Sequence, residues 1–284
     1  MKTITANKSV RCATEYDALN HVLVVKPSFM KITEIINETQ KHYEKSNINV
    51  PLALKQHENF VSTLKENGVN VSELPTDPHL PEQVFTRDIG FTINDELFVG
   101  TMNERVRRSE TNILKTWLSD RGIGFQEGLP GSIEGGDVVV DGSTIWIGVS
   151  GRTTKRAIDE LQRRLPTYRI EAIQLTEDIL HLDCVFNIVS KDTALVYREA
   201  FTKEGLKKIS ARFQSLIEVT KEEQFEMGPN VLSIGNDHIV SLPQNERLNA
   251  ILRSKGFHVI TVDFSEIIKS GGSFRCCTLP LVRR

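Results

Sequence analysis

The sequence lacks three features that would assign it to a special class of protein. No apolar run approaches the roughly 20 residues that span a bilayer. The charge is nearly balanced, with 35 Lys and Arg against 37 Asp and Glu and a formal net charge of −2, so there is no electrostatic reason to expect nucleic acid. Residues 1–11 are polar, without the apolar segment of a secretory signal. We therefore expect a cytoplasmic protein with neither a nucleic-acid partner nor a membrane.

Cysteine is also scarce. The chain has four cysteines: Cys12, Cys184, Cys276 and Cys277. They form no CxxC pair and no His/Cys spacing of a zinc site, which predicts reduced thiols and no metal. A free cysteine is usually a small buried hydrophobe, and we expect this for all but Cys276. Because Cys276 ends the stretch GGSFRC, after two glycines and beside Arg275, its thiolate form can be favoured. We predict that Cys276 is a nucleophile.

A recurring hairpin pattern is the main structural signal. The 39% of hydrophobic residues suffice for a sizeable core, and many of them lie in pairs of short strands joined by a polar turn. These turns begin at residues 94, 141, 191 and 236, and an apolar-periodic helix follows each hairpin. The third helix is predicted to include Leu216. A spacing of about 45 to 50 residues is typical of a repeated supersecondary unit that needs neighbours to bury its faces.

The two ends of the chain complete the repeat count. Apolar strands are predicted at residues 21–25 and 278–282, and neither has a hairpin partner within its own segment. Together they can form a fifth unit that closes a ring. We therefore predict one pseudo-symmetric α/β domain over residues 1–284. A Rossmann sheet is disfavoured, because its crossovers are shorter and lack the regular hairpin.

Polar residues collect just before the repeat strands. The segments are FTRD at residues 85–88, EGGD at residues 134–137, HLD at residues 181–183 and the terminal GGSFRC. In a ring of repeats, the loops at one end of every unit converge on the axis. We therefore expect these four segments to meet, although they are far apart in sequence.

The residue types in these segments suit guanidinium chemistry. The carboxylates of Asp88 and Asp183 could grip a planar cation with several donors. Taken singly, each is more commonly a structural ion pair, for example with Arg87, and Glu134 has the same ambiguity. A lone His181 would more often be a satisfied core histidine, but with a candidate thiol it becomes a general acid/base. Only the grouping of these residues favours a catalytic site.

Two arginine-bearing segments follow the first two hairpins, at residues 105–108 and 150–154. A guanidinium held there could bind a carboxylate of the substrate. A solvated helix start is the alternative, and we prefer it for Arg105 and Arg108.

The ordered set FTRD, EGGD, HLD and GGxxRC resembles the guanidine-modifying superfamily of arginine deiminases, dimethylarginine dimethylaminohydrolases and amidinotransferases. The resemblance spans residues 85–276 and implies a five-bladed α/β propeller of ββαβ units. It also implies roles: Cys276 as the nucleophile, His181 as the general acid/base and Glu134 as its acidic partner. The implied substrate-binding residues are Asp88 and Asp183 for the guanidinium, Arg107 and Arg152 for the α-carboxylate, and Phe85 from FTRD.

The expected function is hydrolysis of a C–N bond in the guanidinium of arginine or an N-methylated arginine. The reaction would pass through a Cys276 thiouronium and give citrulline with ammonia or an alkylamine. Side chains alone supply the attack and the proton transfers, so no cofactor is expected. Two alternatives stay open: an amidinotransferase, and a propeller that only binds arginine-type ligands. A homodimer is also left open, as is a lid at residues 31–45.

Overall fold

The computed structural model describes residues 10–284. Its strands are β1 Leu19–Val24, β2 Asn70–Glu73, β3 Gly90–Ile93, β4 Glu96–Val99, β5 Val138–Asp141, β6 Thr144–Val149, β7 Arg169–Gln174, β8 Phe186–Ile188, β9 Thr193–Val196, β10 Ser215–Glu218, β11 Leu232–Gly235, β12 His238–Ser241, β13 His258–Thr261 and β14 Leu279–Arg283. Its helices are α1 Glu38–Tyr43, α2 Val50–Glu66, α3 Glu110–Asp120, α4 Lys155–Arg164, α5 Lys203–Arg212, α6 Lys221–Phe225 and α7 Glu246–Ser254. Short 3-10 turns lie at Arg105–Arg107, Gly135–Asp137, Leu182–Cys184, Arg198–Ala200 and Ile267–Ser270.

The strands form five small sheets, which confirms the five-bladed α/β propeller. Three blades share one plan, in which an antiparallel hairpin adds a parallel third strand: β5-β6-β7, β8-β9-β10 and β11-β12-β13. The β3-β4 blade has two strands, and a single bridge between Phe98 and Gln126 marks the place of its third. In the fifth blade, β1 pairs antiparallel with β14 and parallel with β2, as predicted from the ends of the chain.

Three of the four predicted hairpin turns contain residues with a left-handed backbone. Asn94 has φ 49°, Gly142 has φ 64°, and Asn236 and Asp237 have φ 51° and 58°. Asn, Asp and Gly adopt such angles at low cost, which explains why short polar turns could join these strands.

Strands β7 and β10, the third strands of two blades, were not predicted, and the prediction that Leu216 lies on a helix was wrong. Helix α5 ends at Arg212, and Leu216 lies in β10 opposite Ala194 of β9. The apolar spacing of this segment fits a helix and a strand about equally well. Parallel pairing with β9, a tertiary interaction, decides in favour of the strand.

An aromatic cluster holds the C-terminal segment in place. The Phe274 ring stacks on Phe264 with centroids 4.6 Å apart and lies 5.1 Å from Phe60 of α2. All three rings are buried, and such pairs add to the free energy gained from area burial. Because Phe274 is two residues before Cys276, this packing fixes the backbone that carries the predicted nucleophile.

The helices of the propeller are short. Within residues 10–284, none of them combines the length and the apolar character that crossing a bilayer requires.

Candidate active site

The predicted polar segments converge on one small cavity. Short turns at Gly135–Asp137 and Leu182–Cys184 lead directly into β5 and β8 and carry two of the segments inward. The cavity has a volume of about 10 Å³, room for about one water molecule. It is lined by Ile36, Asn37, Glu82, Phe85, Asp88, Arg107, Arg152, Leu180, His181, Ser270, Gly271 and Cys276. Six of the eight predicted site residues therefore face it, while Glu134 and Asp183 lie behind this lining.

His181 lies between two carboxylates. Its Nε2 is 2.8 Å from Glu134 Oε2, a hydrogen bond, and its Nδ1 is 3.6 Å from Asp88 Oδ1. Burial alone would lower the pKa of His181, but the charge of Asp88 and the hydrogen bond to Glu134 outweigh it and raise the pKa to about 10. The ring is therefore an imidazolium at neutral pH and can act as an acid.

The Cys276 sulfur has three polar neighbours. Asn230 Nδ2 donates to Sγ at 3.0 Å, and Asp183 Oδ2 lies 3.5 Å from it. A hydrogen bond with the Cys184 thiol, burial and the charge of Asp183 raise the pKa of Cys276 well above its ordinary value. In the free protein this environment favours the thiol form of Cys276, and the charge of Arg275 beside it does not outweigh these effects.

Arg275 binds the acids around the nucleophile instead. Its Nη1 donates to Asp183 Oδ2 at 2.6 Å, and its Nη2 donates to Glu15 Oε1 at 3.1 Å and to the Val138 carbonyl at 2.9 Å. The Arg275 and Asp183 side chains are buried, with exposed fractions of 1% and 0%. Removing one partner of such a pair would leave a buried charge uncompensated.

Arg107 ties Asp88 into a buried cluster. Its Nη1 donates to Asp88 Oδ2 at 2.5 Å, and its Nη2 donates to Glu110 Oε2 at 2.9 Å and to the Phe85 carbonyl at 3.2 Å. Asp88 therefore pairs with Arg107, whereas Arg87 lies 3.7 Å from Glu15. Burial opposes ionisation of Asp88, but the charges of His181 and Arg107 lower its pKa.

Arg152 contacts the segment that covers the cavity. Its Nη2 donates to the Ile36 carbonyl at 2.7 Å, and its Nη1 lies 3.6 Å from Glu134 Oε2. The Arg152 side chain is buried, and its Nε lies 3.5 Å from Glu104 Oε1. The hydrogen bond of the Arg152 guanidinium is therefore to the backbone of the candidate lid, at the Ile36 carbonyl.

Three buried polar atoms around the cavity have no hydrogen-bond partner among the described residues. They are Asp88 Oδ1, His181 Nδ1 and Arg152 Nη1. Buried polar groups are nearly always paired, and an unpaired one costs free energy. One acceptor and two donors are thus available to a ligand that both donates and accepts hydrogen bonds.

Residues 31–45, the candidate lid, close the cavity from outside. Asn37 Nδ2 donates to the Ser270 carbonyl at 3.0 Å, and Gln40 Nε2 donates to Glu82 Oε1 and Ser270 Oγ, both at 2.8 Å. Burial raises the pKa of Glu82 to about 7. No sequence pattern indicated Glu82, whose carboxyl accepts hydrogen bonds from Gln40 of the candidate lid and from Ser270 next to the nucleophile segment.

Gly136 allows the close approach of the central residues. A Cβ at this position would lie 2.7 Å from Asp88 Oδ1 and 2.8 Å from two ring atoms of His181. Real Cβ atoms do not approach so closely. The second glycine of EGGD is therefore required by the site rather than by a turn.

Asp88, Glu134 and His181 also each place one potential ligand atom within 4.8 Å of the others. His181 Nε2 is engaged by Glu134, so a metal ion would have to displace that hydrogen bond. The absence of a metal stays a prediction.

Asn230 was missed by sequence reasoning, although a signal for it exists. It lies two residues before β11, at the place in the fourth unit that corresponds to the polar segments of the other units. Applying the repeat rule to every unit would have found it.

Comparison with known proteins agrees with this geometry. The family described as "N,N dimethylarginine dimethylhydrolase, eukaryotic" matches residues 26–283. The chain belongs to this family. The resemblance to the guanidine-modifying superfamily is thereby confirmed.

The relatives differ in their named activities. The chain is 48% identical to the uncharacterized Bacillus subtilis protein YkgA, over 96% of this chain and 95% of that one. It is 29% identical to the N(G),N(G)-dimethylarginine dimethylaminohydrolase of Mycobacterium tuberculosis, over 82% and 77% of the two chains. It is also 29% identical to an arginine deiminase of Listeria monocytogenes, over 72% of this chain and 62% of the relative. The named activities of the two latter relatives are both directed at the guanidino group.

Solved structures share the fold. The N-terminal domain of ArgZ, a cyanobacterial arginine dihydrolase solved with its substrate, matches 93% of this chain and 98% of its own with a TM-score of 0.85 at 23% identity. SxtG, an amidinotransferase of Microseira wollei, matches 97% and 98% with a TM-score of 0.84 at 20% identity. At these identities the likeness shows the fold alone.

Proposed function

We propose that the protein hydrolyses a C–N bond in the guanidinium group of arginine or an N-methylated arginine through a covalent Cys276 intermediate. Family membership supports hydrolysis of a guanidino group. The observation that carries the covalent mechanism and the choice of substrate is the set of buried atoms around the cavity that make no hydrogen bond to the described residues. Asp88 Oδ1 is an acceptor for guanidinium N–H groups, and it faces the same cavity as the thiol of Cys276.

Substrate binding would create the nucleophile. The carboxylates of Asp88 and Asp183 both raise the pKa of Cys276 in the free protein. A guanidinium bound to Asp88 brings a positive charge beside the sulfur, and an adjacent cation favours the thiolate. The proton of the thiol leaves to solvent, and the thiolate attacks the central guanidinium carbon.

His181 would then supply and remove protons. As an imidazolium it protonates the leaving nitrogen of the tetrahedral adduct, so that ammonia or an alkylamine departs and a thiouronium remains. The neutral ring, held by Glu134, next takes a proton from a water that attacks the thiouronium carbon. Collapse of this second adduct breaks the C–S bond and regenerates the thiolate, and the ureido product, such as citrulline, leaves after its former hydroxyl proton passes to solvent.

The other end of the substrate would meet Arg152 rather than Arg107. All three nitrogens of the Arg107 guanidinium bond to protein acceptors. Arg152 Nη1 makes no hydrogen bond to the described residues, although it lies 3.6 Å from Glu134 Oε2, and Nη2 donates to the Ile36 carbonyl of the candidate lid. Because the closed cavity of about 10 Å³ is too small for arginine, the lid segment must move, which would free Arg152 for a carboxylate.

The decisive assay is a substrate panel. Arginine, monomethylarginine, dimethylarginine, agmatine and guanidino acids are each incubated with the protein, and ammonia, methylamines and ureido products are measured. We expect a ureido product from at least one α-amino acid substrate and weak turnover of agmatine, which lacks the carboxylate. No ureido product from any member of the panel would refute the proposal.

Two variants test the assigned roles. His181→Ala is expected to retain binding and to lose about 10²–10⁴-fold in turnover. Cys276→Ser is expected to form no covalent adduct by mass spectrometry under conditions in which the parent does. Cys277→Ser is the matched control, because this neighbouring thiol is also buried and should leave the adduct unchanged.

An amidinotransferase is the second candidate, because that reaction would pass through the same Cys276 thiouronium and transfer the amidino group to an acceptor amine instead of to water. Supplying glycine or lysine together with arginine distinguishes the two reactions. A new guanidino product would indicate transfer, whereas a ureido product that is independent of the added amine indicates hydrolysis.

A further inference from the structure

Asn230 contacts the nucleophile directly. Its side chain is buried, with an exposed fraction of 0%. Its Nδ2 is 3.0 Å from Cys276 Sγ, and its Oδ1 accepts hydrogen bonds from the backbone N–H groups of Ser273 and Cys276, both at 3.1 Å. One carboxamide thus joins the sulfur to the loop that carries it.

The orientation of this amide follows from its partners. The oxygen and nitrogen of an Asn side chain are alike in shape, and the hydrogen-bond network has to assign them. Two backbone N–H groups, from Ser273 and Cys276, approach one end of the Asn230 amide, and only an oxygen can accept from them. The NH₂ end must therefore point toward the sulfur.

A donor in this position acts on the thiolate more than on the thiol. A hydrogen bond to the charged form of an acid favours that form. The carboxylate of Asp183, 3.5 Å from the sulfur, acts in the opposite direction. The Asn230 amide therefore opposes the surrounding acids at the atom where charge develops.

We propose that Asn230 is a catalytic residue whose amide N–H stabilises the Cys276 thiolate before attack and again when the C–S bond breaks. Its carboxamide oxygen fixes the backbone of residues 273–276, so the sulfur is held in one position. Asn230 neither gains nor loses a proton in either step. The inference rests on the proposed function only in requiring that Cys276 reacts as a thiolate.

The test is the rate at which iodoacetamide alkylates Cys276 as a function of pH, followed by mass spectrometry of the peptide. The test variant is Asn230→Asp, which keeps an acceptor for the backbone N–H groups but loses the donor and adds a charge. Asn230→Ser, measured beside it, loses the donor without adding a charge, and its alkylation must slow as well for the proposal to stand. Subtracting the signal of Cys276→Ser removes any contribution from Cys277. We expect alkylation at least about tenfold slower than in the parent at each pH below the thiol pKa, since a hydrogen bond to a charged group shifts a pKa by about one unit or more.

Asn245→Asp is the matched control. Asn245 is buried, and its Nδ2 donates to the Glu226 carbonyl at 3.4 Å. Glu226 begins the loop that leads to Asn230. The Asn245 amide makes no hydrogen bond to the Cys276 sulfur among the described residues. It undergoes the same chemical change and is expected to alkylate within twofold of the parent. Equal alkylation rates for Asn230→Asp and the parent, or equal slowing in both variants, would overturn the proposal.

Two further measurements keep the test decisive. If Asn230→Asp does not fold, Asn230→Ser carries the test alone, because its hydroxyl is too short to reach the sulfur and the same slowing is expected. With a turned-over substrate, kcat should fall about tenfold at neutral pH and recover as the pH rises, while KM changes little. Because alkylation needs no substrate, it tests Asn230 even if the guanidino panel gives no product.

Discussion

The buried carboxyl of Glu82 is expected to make the free energy of unfolding fall as the pH rises. Burial raises the pKa of Glu82 from 4.5 to about 7. In the unfolded chain this group releases its proton near pH 4.5, while the folded protein holds it until about pH 7. Folding therefore binds a proton between these values, and the free energy of unfolding falls as the pH rises through this window.

The size of the effect follows from the shift. About 2.5 pKa units correspond to about 3 kcal/mol of stability lost above pH 7, at 1.36 kcal/mol per unit. Glu82→Gln removes the ionisable group and keeps an oxygen that can accept from Gln40 Nε2, which now lies 2.8 Å from Glu82 Oε1. We expect the variant to be about 3 kcal/mol more stable than the parent at pH 8 and within about 1 kcal/mol at pH 5.

The measurement is urea unfolding of both proteins at pH 5, 6, 7 and 8, followed by circular dichroism. The informative quantity is the pH dependence of the difference between variant and parent, because any pH-independent cost of the amide cancels in it. Glu66→Gln is the control, since Glu66 is exposed near the end of α2 and its removal frees no buried charge. A variant–parent difference that is the same at pH 5 and pH 8 would refute the reasoning.

Two further predictions concern the core of the site. Gly136→Ala should reduce turnover at least about 10²-fold, because the new Cβ would lie 2.8 Å from the His181 ring and displace it. Gly124→Ala is the control: its Cβ meets no atom within 4 Å, so turnover should stay unchanged. Glu15→Gln should lower stability by about 3 kcal/mol at pH 7, because burial of Glu15 is outweighed by Arg275 and its pKa falls to about 2. That loss should shrink as the pH falls from 4.5 toward 2 and vanish only below the folded pKa, so a gap in urea midpoint as large at pH 2.5 as at pH 7 would contradict it.

The repeat and the meeting of its polar segments could be predicted because both depend on local patterns. Each hairpin combines alternating or apolar strands with a turn residue that tolerates positive φ, such as Asn94 or Asn236. Once the unit is known, closure of the ring places the residues just before each first strand together. This is why His181 and Cys276 could be assigned to one site, although 95 residues of sequence separate them.

The partners of the charged groups could not be predicted, because they depend on tertiary geometry. Nothing in the sequence distinguishes Arg107 from Arg87 as the partner of Asp88, yet Arg107 reaches it at 2.5 Å. The pair Arg275 and Asp183 joins two residues that are 92 positions apart in the sequence. A lid could be suggested from the sequence, but its hydrogen bonds through Gln40 follow only from the folded chain.

If Cys276 is the nucleophile, as proposed, the arrangement of charges around it would keep the thiol unreactive until a substrate binds. The cations nearest to the acids, Arg107 and Arg275, are fixed to Asp88 and Asp183 by short hydrogen bonds. The acids still raise the pKa of the thiol, so these internal pairs do not neutralise their effect at the sulfur. An added cation that reaches the unpaired Asp88 Oδ1 would change that balance. A guanidinium is planar and carries N–H donors for that oxygen, so under the proposed function the substrate that needs the thiolate would also generate it.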